Sequence, residues 1–145
     1  MAPVTIDNED YLFALAYKRT KQKNDTVLLN KIGLDYIAYM EKKLHYFEMQ
    51  SNNLFGRNII KILLLHTSLL NSDYLDSLIS IYKTRKYIFV STDDALKDPA
   101  YNTEITVFGN WGISWIDKWA LSAGKKGEFF KEDPPTPDYI KRLAE

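Results

Sequence analysis

Cysteine is absent from this 145-residue chain, and its absence excludes disulfides and thiolate metal sites. An excess of charge of one sign is also lacking, because 19 Lys and Arg residues balance 19 Asp and Glu residues. Proteins that bind the phosphate backbone usually carry a basic face. The composition therefore argues against a nucleic-acid partner, although it does not fix the cellular compartment.

Long apolar runs are lacking as well. The longest uninterrupted aliphatic run covers residues 62–65, whereas a membrane-spanning helix needs about 20 apolar residues. The N-terminal stretch MAPVTIDNED has no basic region followed by an apolar one. We expect no membrane span and no signal peptide in this chain, and the sequence leaves its localisation open.

Three short apolar segments are typical of buried strands. The most informative is NIIKILLLHTSLL, residues 58–70, in which one of only two histidines follows an aliphatic run. Residues 59–65 are apolar on both faces, which favours a parallel strand covered on two sides. Residues 4–6 and 87–90 are β-branched or aromatic and predict two further strands.

The remaining segments predict helices with recognisable starts. Asp7 or Asn8 is expected to cap a first helix, and Asp25 or Thr26 a second, longer one. Apolar residues recur about every four positions in the second helix, which predicts one buried stripe: Leu28, Ile32, Tyr36, Met40, Leu44 and Phe47. We predict a loop at 51–56 and helices after residues 71–73, after Thr92 or Asp93, and after Thr136-Pro137.

Strands that alternate with helices predict an α/β fold class with parallel crossovers. Three parallel strands make a poor complete sheet, because both edges stay open. The expected architecture is therefore part of a barrel or of a doubly wound sheet. We assign residues 1–98 to this part and residues 99–145 to a tail of short helices that packs on it.

Polar groups follow the predicted strands, where α/β proteins collect their functional residues. Asp7 and Asp10 follow the first strand, and His66 follows the second. Adjacent parallel strands would bring Asp10 and His66 together, and a carboxylate beside an imidazole favours a general acid. The alternative is structural: Asp7 and Asp10 would cap a helix, and His66 would be a packing residue.

Two motifs at these positions resemble the polysaccharide deacetylases (carbohydrate esterase family 4). Residues 7–11, DNEDY, are similar to that family's D-x-x-D-W motif, with Tyr in place of Trp. Residues 62–66, ILLLH, match its I-x-L-x-H motif at every fixed position. The order of the motifs agrees, and the segments LNSDYLDSL, YIFVSTDDAL and GISWIDKWA also resemble the family.

The resemblance implies the C-terminal portion of a distorted (β/α) barrel with parallel strands, plus an α-helical tail. His66 would be the general acid that protonates the departing sugar amine or alcohol, and Asp10 its carboxylate partner. Tyr11 and Leu64 would line the pocket for the acetyl methyl group, and Asp7 would contact the substrate. The partner would be a polysaccharide or oligosaccharide, and family members are often periplasmic or secreted.

The motifs that supply the family's metal and base are missing. There is no T-F-D-D-G and no H-x-x-x-H-P, and His45 is expected on a helix surface. Residues 91–95, STDDA, superficially resemble the first motif but are better explained by helix capping. The intact family implies a zinc-like divalent metal, but we expect none to be bound by this chain alone. We therefore expect it to be inactive without the missing N-terminal half of the barrel or a second copy.

Two other functional interpretations stay open. One is a non-catalytic carbohydrate-binding or protein-interaction module, because Trp111, Trp115 and Trp119 would form one stripe on a helix and aromatic faces suit sugar rings. Buried packing is the more ordinary explanation of such a stripe. The other is a structural remnant, in which Asp10 and His66 no longer act.

Overall fold

In a computed structural model that describes residues 3–109 and 112–145, the chain is helical. About 60% of it is helix and about 1% strand. The described residues form six α-helices: α1 (Asp10–Gln22), α2 (Thr26–Phe55), α3 (Leu69–Thr84), α4 (Thr92–Ala95), α5 (Trp115–Ser122) and α6 (Asp138–Ala144). Two short 3-10 turns lie at Pro99–Asn102 and Gly127–Phe129.

The prediction of an α/β fold is therefore wrong, and so is the (β/α) barrel that the resemblance implied. The described residues contain no sheet; their strand pairing is a single parallel bridge between Ile6 and Leu63. Leu64 N donates to Ile6 O at 3.3 Å, and Ile6 N donates to Ile62 O at 3.0 Å. The two predicted strands do meet in the expected parallel direction, but they do not extend into a ladder.

The backbone hydrogen bonds explain why the aliphatic segment does not become a strand. Ile59 N donates to Ser51 Oγ, Ile60 N to an Asp98 carboxylate oxygen, and Ile62 N to Thr5 Oγ1, at 2.7–2.9 Å. Side chains thus satisfy N–H groups that a neighbouring strand satisfies in a sheet. An apolar pattern reports burial, but it does not report which group accepts each hydrogen bond.

The predicted third strand, residues 87–90, is also not a strand. Tyr87 N donates to Tyr82 O at 2.9 Å, so the segment leaves α3 as a capping turn. Beyond it, Ile88 is 82% exposed and Phe89 61% exposed. The β-branched and aromatic composition that predicted a strand therefore coincides here with exposed apolar side chains.

The helices follow the sequence more closely. Asp25 Oδ1 accepts from Leu28 N at 3.0 Å, which confirms the start of α2, and the predicted stripe is buried from Ile32 to Phe47. The predicted loop at 51–56 is wrong, because α2 continues to Phe55 and ends at Gly56, whose φ of 68° suits glycine. Helix α3 begins two residues before the predicted cap, at Leu69, and Ser68 caps it.

The chain divides into two compact units, each built from discontinuous segments. Unit 1 comprises residues 1–7, 43–64 and 89–133, and unit 2 comprises residues 8–42, 65–88 and 134–145. Helix α2 thus contributes its first part to unit 2 and its second part to unit 1. No helix of the described residues is long and apolar enough to cross a membrane.

Each unit has its own aromatic core. In unit 2, α1 packs against α3 and α6, and the Phe13 ring lies 5.5 Å from the Tyr36 ring and 5.0 Å from the Tyr39 ring, between centroids. In unit 1, the buried Trp119 ring meets Phe55 and Tyr101 edge-on at 5.4–5.5 Å. Such edge-to-face contacts add to the stabilisation that burial provides.

Candidate acid site

Asp10 and His66 lie in direct contact in unit 2, although 56 residues separate them in the chain. The His66 Nδ1 atom is 2.6 Å from Asp10 Oδ1, and the His66 backbone N–H donates to Asp10 Oδ2 at 2.8 Å. The first turn of α1 supplies the carboxylate, and the segment that leads into α3 supplies the imidazole. The two carboxylate oxygens thus hold both the ring and the backbone of His66.

Asn71 completes the support of this pair. Its Nδ2 donates to Asp10 Oδ2 at 2.9 Å and to His66 O at 2.7 Å, while Tyr36 Oη donates to Asn71 Oδ1 at 2.5 Å. The sequence suggested Asn71 only as a helix cap. Its position five residues after His66 is the signal that would have found it, because the first turn of α3 faces back to that histidine.

Burial distinguishes the two members of the pair. Asp10 is fully buried, whereas the His66 side chain is 50% exposed. A buried carboxylate needs several donors, and Asp10 has them in His66 and Asn71. Because Nδ1 faces Asp10, Nε2 is the ring nitrogen left to exchange a proton with an external group.

Tyr11 lies at the same site. Its ring is 51% exposed and meets the His66 ring edge-on, with centroids 6.2 Å apart. Its ring therefore lies beside the imidazole. Leu64 and Asp7, the other predicted substrate contacts, belong to unit 1, where both are half-buried and Leu64 N donates to Ile6 O.

The residues for which the sequence predicted no catalytic role have structural roles. Ser91 Oγ accepts from Asp94 N at 3.1 Å and caps α4, so residues 91–95 do begin a helix, but the cap is Ser91 rather than the predicted Thr92 or Asp93. His45 is exposed on α2, with Nδ1 3.7 Å from Glu48 Oε2. Trp115 and Trp119 lie on α5, whereas Trp111 lies outside the described residues.

A divalent metal does not fit the part of the chain that the structure describes. No group of three or more His, Cys, Asp or Glu side chains is placed there to hold a metal ion. The acid pair itself offers only one carboxylate and one imidazole, fewer than a protein-built zinc site needs. No step is therefore assigned to a metal here.

The environment of a half-buried carboxylate in unit 1, that of Asp117, was not predicted from the sequence. Burial, together with the negative charges of Asp133 and Asp7, raises the pKa of Asp117 to about 7, while Lys43 and Tyr46 oppose the shift. Lys43 pairs with Asp133 at 2.5 Å, and Asp117 Oδ1 has no hydrogen-bond partner among the described residues. The segment I-D-K-W does not predict this raised pKa, because Asp117 has the pattern of an ordinary acidic residue in the first turn of a helix.

Comparison with models of known protein families gives no match to this chain. Neither curated proteins nor solved structures provide a match. The functional inference therefore depends on the residues and geometry of the chain itself.

Proposed function

We propose that this protein takes part in the hydrolysis of acetyl groups from a sugar polymer, with His66 as the general acid. The observation that carries the proposal is the contact between Asp10 and His66, since the D-x-x-D and I-x-L-x-H residues that resemble the deacetylases supply its two members. The His66 Nδ1–Asp10 distance is 2.6 Å. Amide and ester substrates are both compatible with this role.

In the proposed step, protonated His66 donates its Nε2 proton to the sugar nitrogen or oxygen as the bond to the acetyl carbon breaks. The imidazole becomes neutral, and the sugar leaves as an amine or alcohol. Asp10 accepts the hydrogen bond of Nδ1 and fixes the orientation of the ring. Tyr11, whose ring centroid lies 6.2 Å from that of His66, forms one wall for the substrate.

The attacking water must be activated by other groups. The metal and base would come from a second polypeptide segment or from another copy of this chain, because the described residues provide no cluster for a metal. We therefore expect no acetate release from the purified chain alone. The polymer, or an oligosaccharide of it, is the proposed partner.

Histidine NMR tests the proposal directly, because the chain has only two histidines. We expect acetylated chito- or xylo-oligosaccharides to shift the His66 ring signals saturably while His45, which is 60% exposed, serves as an internal control and does not respond. The shift should be lost in Tyr11→Ala. If the His66 ring signals of the folded chain do not change with either acetylated sugar, the proposal is wrong.

Acetate release with added zinc or cobalt is the second arm. The proposal expects none from the wild type. Release that His66→Gln abolishes and His45→Gln preserves would support the acid role but contradict an external source of metal and base. Release that survives His66→Gln would exclude His66 as the acid.

A further inference from the structure

Unit 1 contains an open cleft between the extended segment that follows the Pro99–Asn102 turn and helix α5. Its volume is about 210 Å³. At about 30 Å³ for each water, it holds about seven waters, which is the size of one sugar ring rather than of a long ligand. Its lining is mainly apolar: Thr103, Ile105, Val107, Phe108, Gly109, Trp115 and Lys118.

The cleft walls are fixed by hydrogen bonds and ring contacts. Trp119 Nε1 donates to Thr103 O at 3.0 Å, and Thr106 N donates to Ser122 Oγ at 3.0 Å. These bonds tie the extended segment to α5. The Trp115 ring meets the buried Trp119 ring edge-on at 5.9 Å, so Trp115 is held in place before any ligand arrives.

Among the described residues that line the cleft, two aromatic rings and one cation set its chemistry. Phe108 is 81% exposed, so its ring is accessible to a ligand. The Lys118 ammonium lies 5.7 Å from the Trp115 ring centroid. Aromatic faces carry negative potential and suit the weakly positive C–H face of a pyranose, while a lysine cation attracts a carboxylate and repels a basic ligand.

We infer that this cleft binds an acidic saccharide, with a pyranose face stacked on Trp115 and its carboxylate paired with Lys118. Charge complementarity selects an acidic occupant over a neutral or basic one, and the small volume selects a single ring. Phe108 adds a second apolar surface to the lining, and Thr103 contributes a hydroxyl of the kind that bonds a sugar hydroxyl. This site goes beyond the His66 chemistry and does not depend on it.

Tryptophan fluorescence of the full chain tests the site, with galacturonate as the probe and galactose as its neutral reference. We expect saturable binding of the acidic probe, at least tenfold tighter than that of the neutral one, and weaker as salt increases. Lys118→Gln should weaken binding of the acidic probe at least tenfold. Lys118→Arg should bind the acidic probe with an affinity close to that of the wild type.

Lys125 provides a matched control, because its ammonium also lies near an aromatic ring, 5.8 Å from the Phe129 centroid, but outside the cleft. Lys125→Gln should leave binding unchanged, as should His66→Gln, which separates this site from the proposed acid site. Calorimetry with Trp115→Leu, checked for folding by circular dichroism, should show binding lost. Equal affinity for the neutral probe, or binding by a folded Lys118→Gln variant at wild-type strength, would overturn the inference.

Discussion

Two aspartates, the buried Asp10 and the half-buried Asp117, show how differently this chain treats the same side chain. In unit 2, both oxygens of Asp10 accept hydrogen bonds, from the His66 ring, the His66 backbone and Asn71. In unit 1, Asp117 Oδ1 has no such partner among the described residues, and burial together with the negative charges of Asp133 and Asp7 raises its pKa to about 7. A carboxylate whose oxygens accept several hydrogen bonds is well accommodated, whereas a carboxyl group that is desolvated near other acids is driven to take up a proton.

The difference has a functional meaning. The proposed acid role requires a fixed negative charge beside His66, and the donors around Asp10 are what make such a charge tolerable inside a protein. Asp117 has the nearby Lys43 charge and a Tyr46 hydrogen bond, but burial and two other carboxylates outweigh them and raise its pKa. A raised pKa alone therefore does not identify the functional carboxylate; the hydrogen bonds around it are more informative.

Removing Asp10 should have the largest effect. Asp10→Ala leaves the Asn71 amide and the His66 backbone N–H without their shared buried acceptor, so we expect a loss of about 3–5 kcal/mol in the free energy of unfolding. Urea denaturation at pH 7 measures it. Asp76→Ala, at an exposed position on α3, should change stability by less than about 0.5 kcal/mol. A loss near 1 kcal/mol or below would show that the pair is not a rigid support.

Asp98 tests whether a well-partnered carboxylate in unit 1 behaves like Asp10. Arg57 pairs with it, and the Ile60 and Ala100 backbone N–H groups donate to it at 2.9 Å, so its pKa is held well below its usual range. We expect Asp98→Asn to cost about 1–3 kcal/mol at pH 7.

The sign of the pH effect follows from that lowered pKa. The Asp98 carboxylate contributes stability above its unfolded pKa of about 3.9, and this contribution is lost as pH falls through the lower folded value. The difference in the free energy of unfolding between the wild type and Asp98→Asn should therefore become smaller below about pH 4. Asp93→Asn, at an exposed site on α4, is the control. A difference in the free energy of unfolding that stays constant from pH 7 to pH 3 would contradict the lowered pKa of Asp98.

Asp117 should show the opposite pH dependence. Its folded pKa of about 7 lies above its unfolded value of about 3.9, so protonation stabilises the fold at low pH and this stability is lost as pH rises through 7. Asp117→Asn should therefore stabilise the protein at pH 8, on the order of 2 kcal/mol, and do so less at pH 5.

Thermal denaturation at the two pH values measures the Asp117 effect. Asp138→Asn is the matched control, because the Asp138 side chain is 85% exposed at the start of α6. If Asp117→Asn destabilises the protein equally at both pH values, Asp117 is a charged structural partner, and the contrast with Asp10 disappears.

Tyr36→Phe should have the smallest effect. It removes the hydroxyl that donates to Asn71 Oδ1 at 2.5 Å, and we expect a loss of about 1 kcal/mol. Denaturation measures it, with Tyr11→Phe as the control at an exposed ring. The Tyr36→Phe loss should shrink in an Asn71→Ala background, since the two residues act through one hydrogen bond. Additive losses would show that Tyr36 stabilises by packing alone.

The site was more predictable than the fold. Asp10, His66 and Tyr11 could be grouped from two short motifs, and the structure brings the three together. The helices were predicted from capping and periodicity, which are local. The absence of a sheet could not be predicted in this way, because the N–H groups of Ile60 and Ile62 find side-chain acceptors 38 and 57 residues away in the sequence.

What the sequence determined by itself is local: the Asp25 cap of α2, the buried stripe of α2, and the absence of a thiolate or of a span-length apolar run. Tertiary structure alone decided that residues 59–65 and 87–90 do not form a sheet, that Asn71 and Tyr36 support the acid pair, and that Asp117 lies half-buried near two other acids. The reason is physical. Periodicity and capping act within a few residues, whereas hydrogen-bond partners and burial of charge are set by segments that meet only when the chain folds.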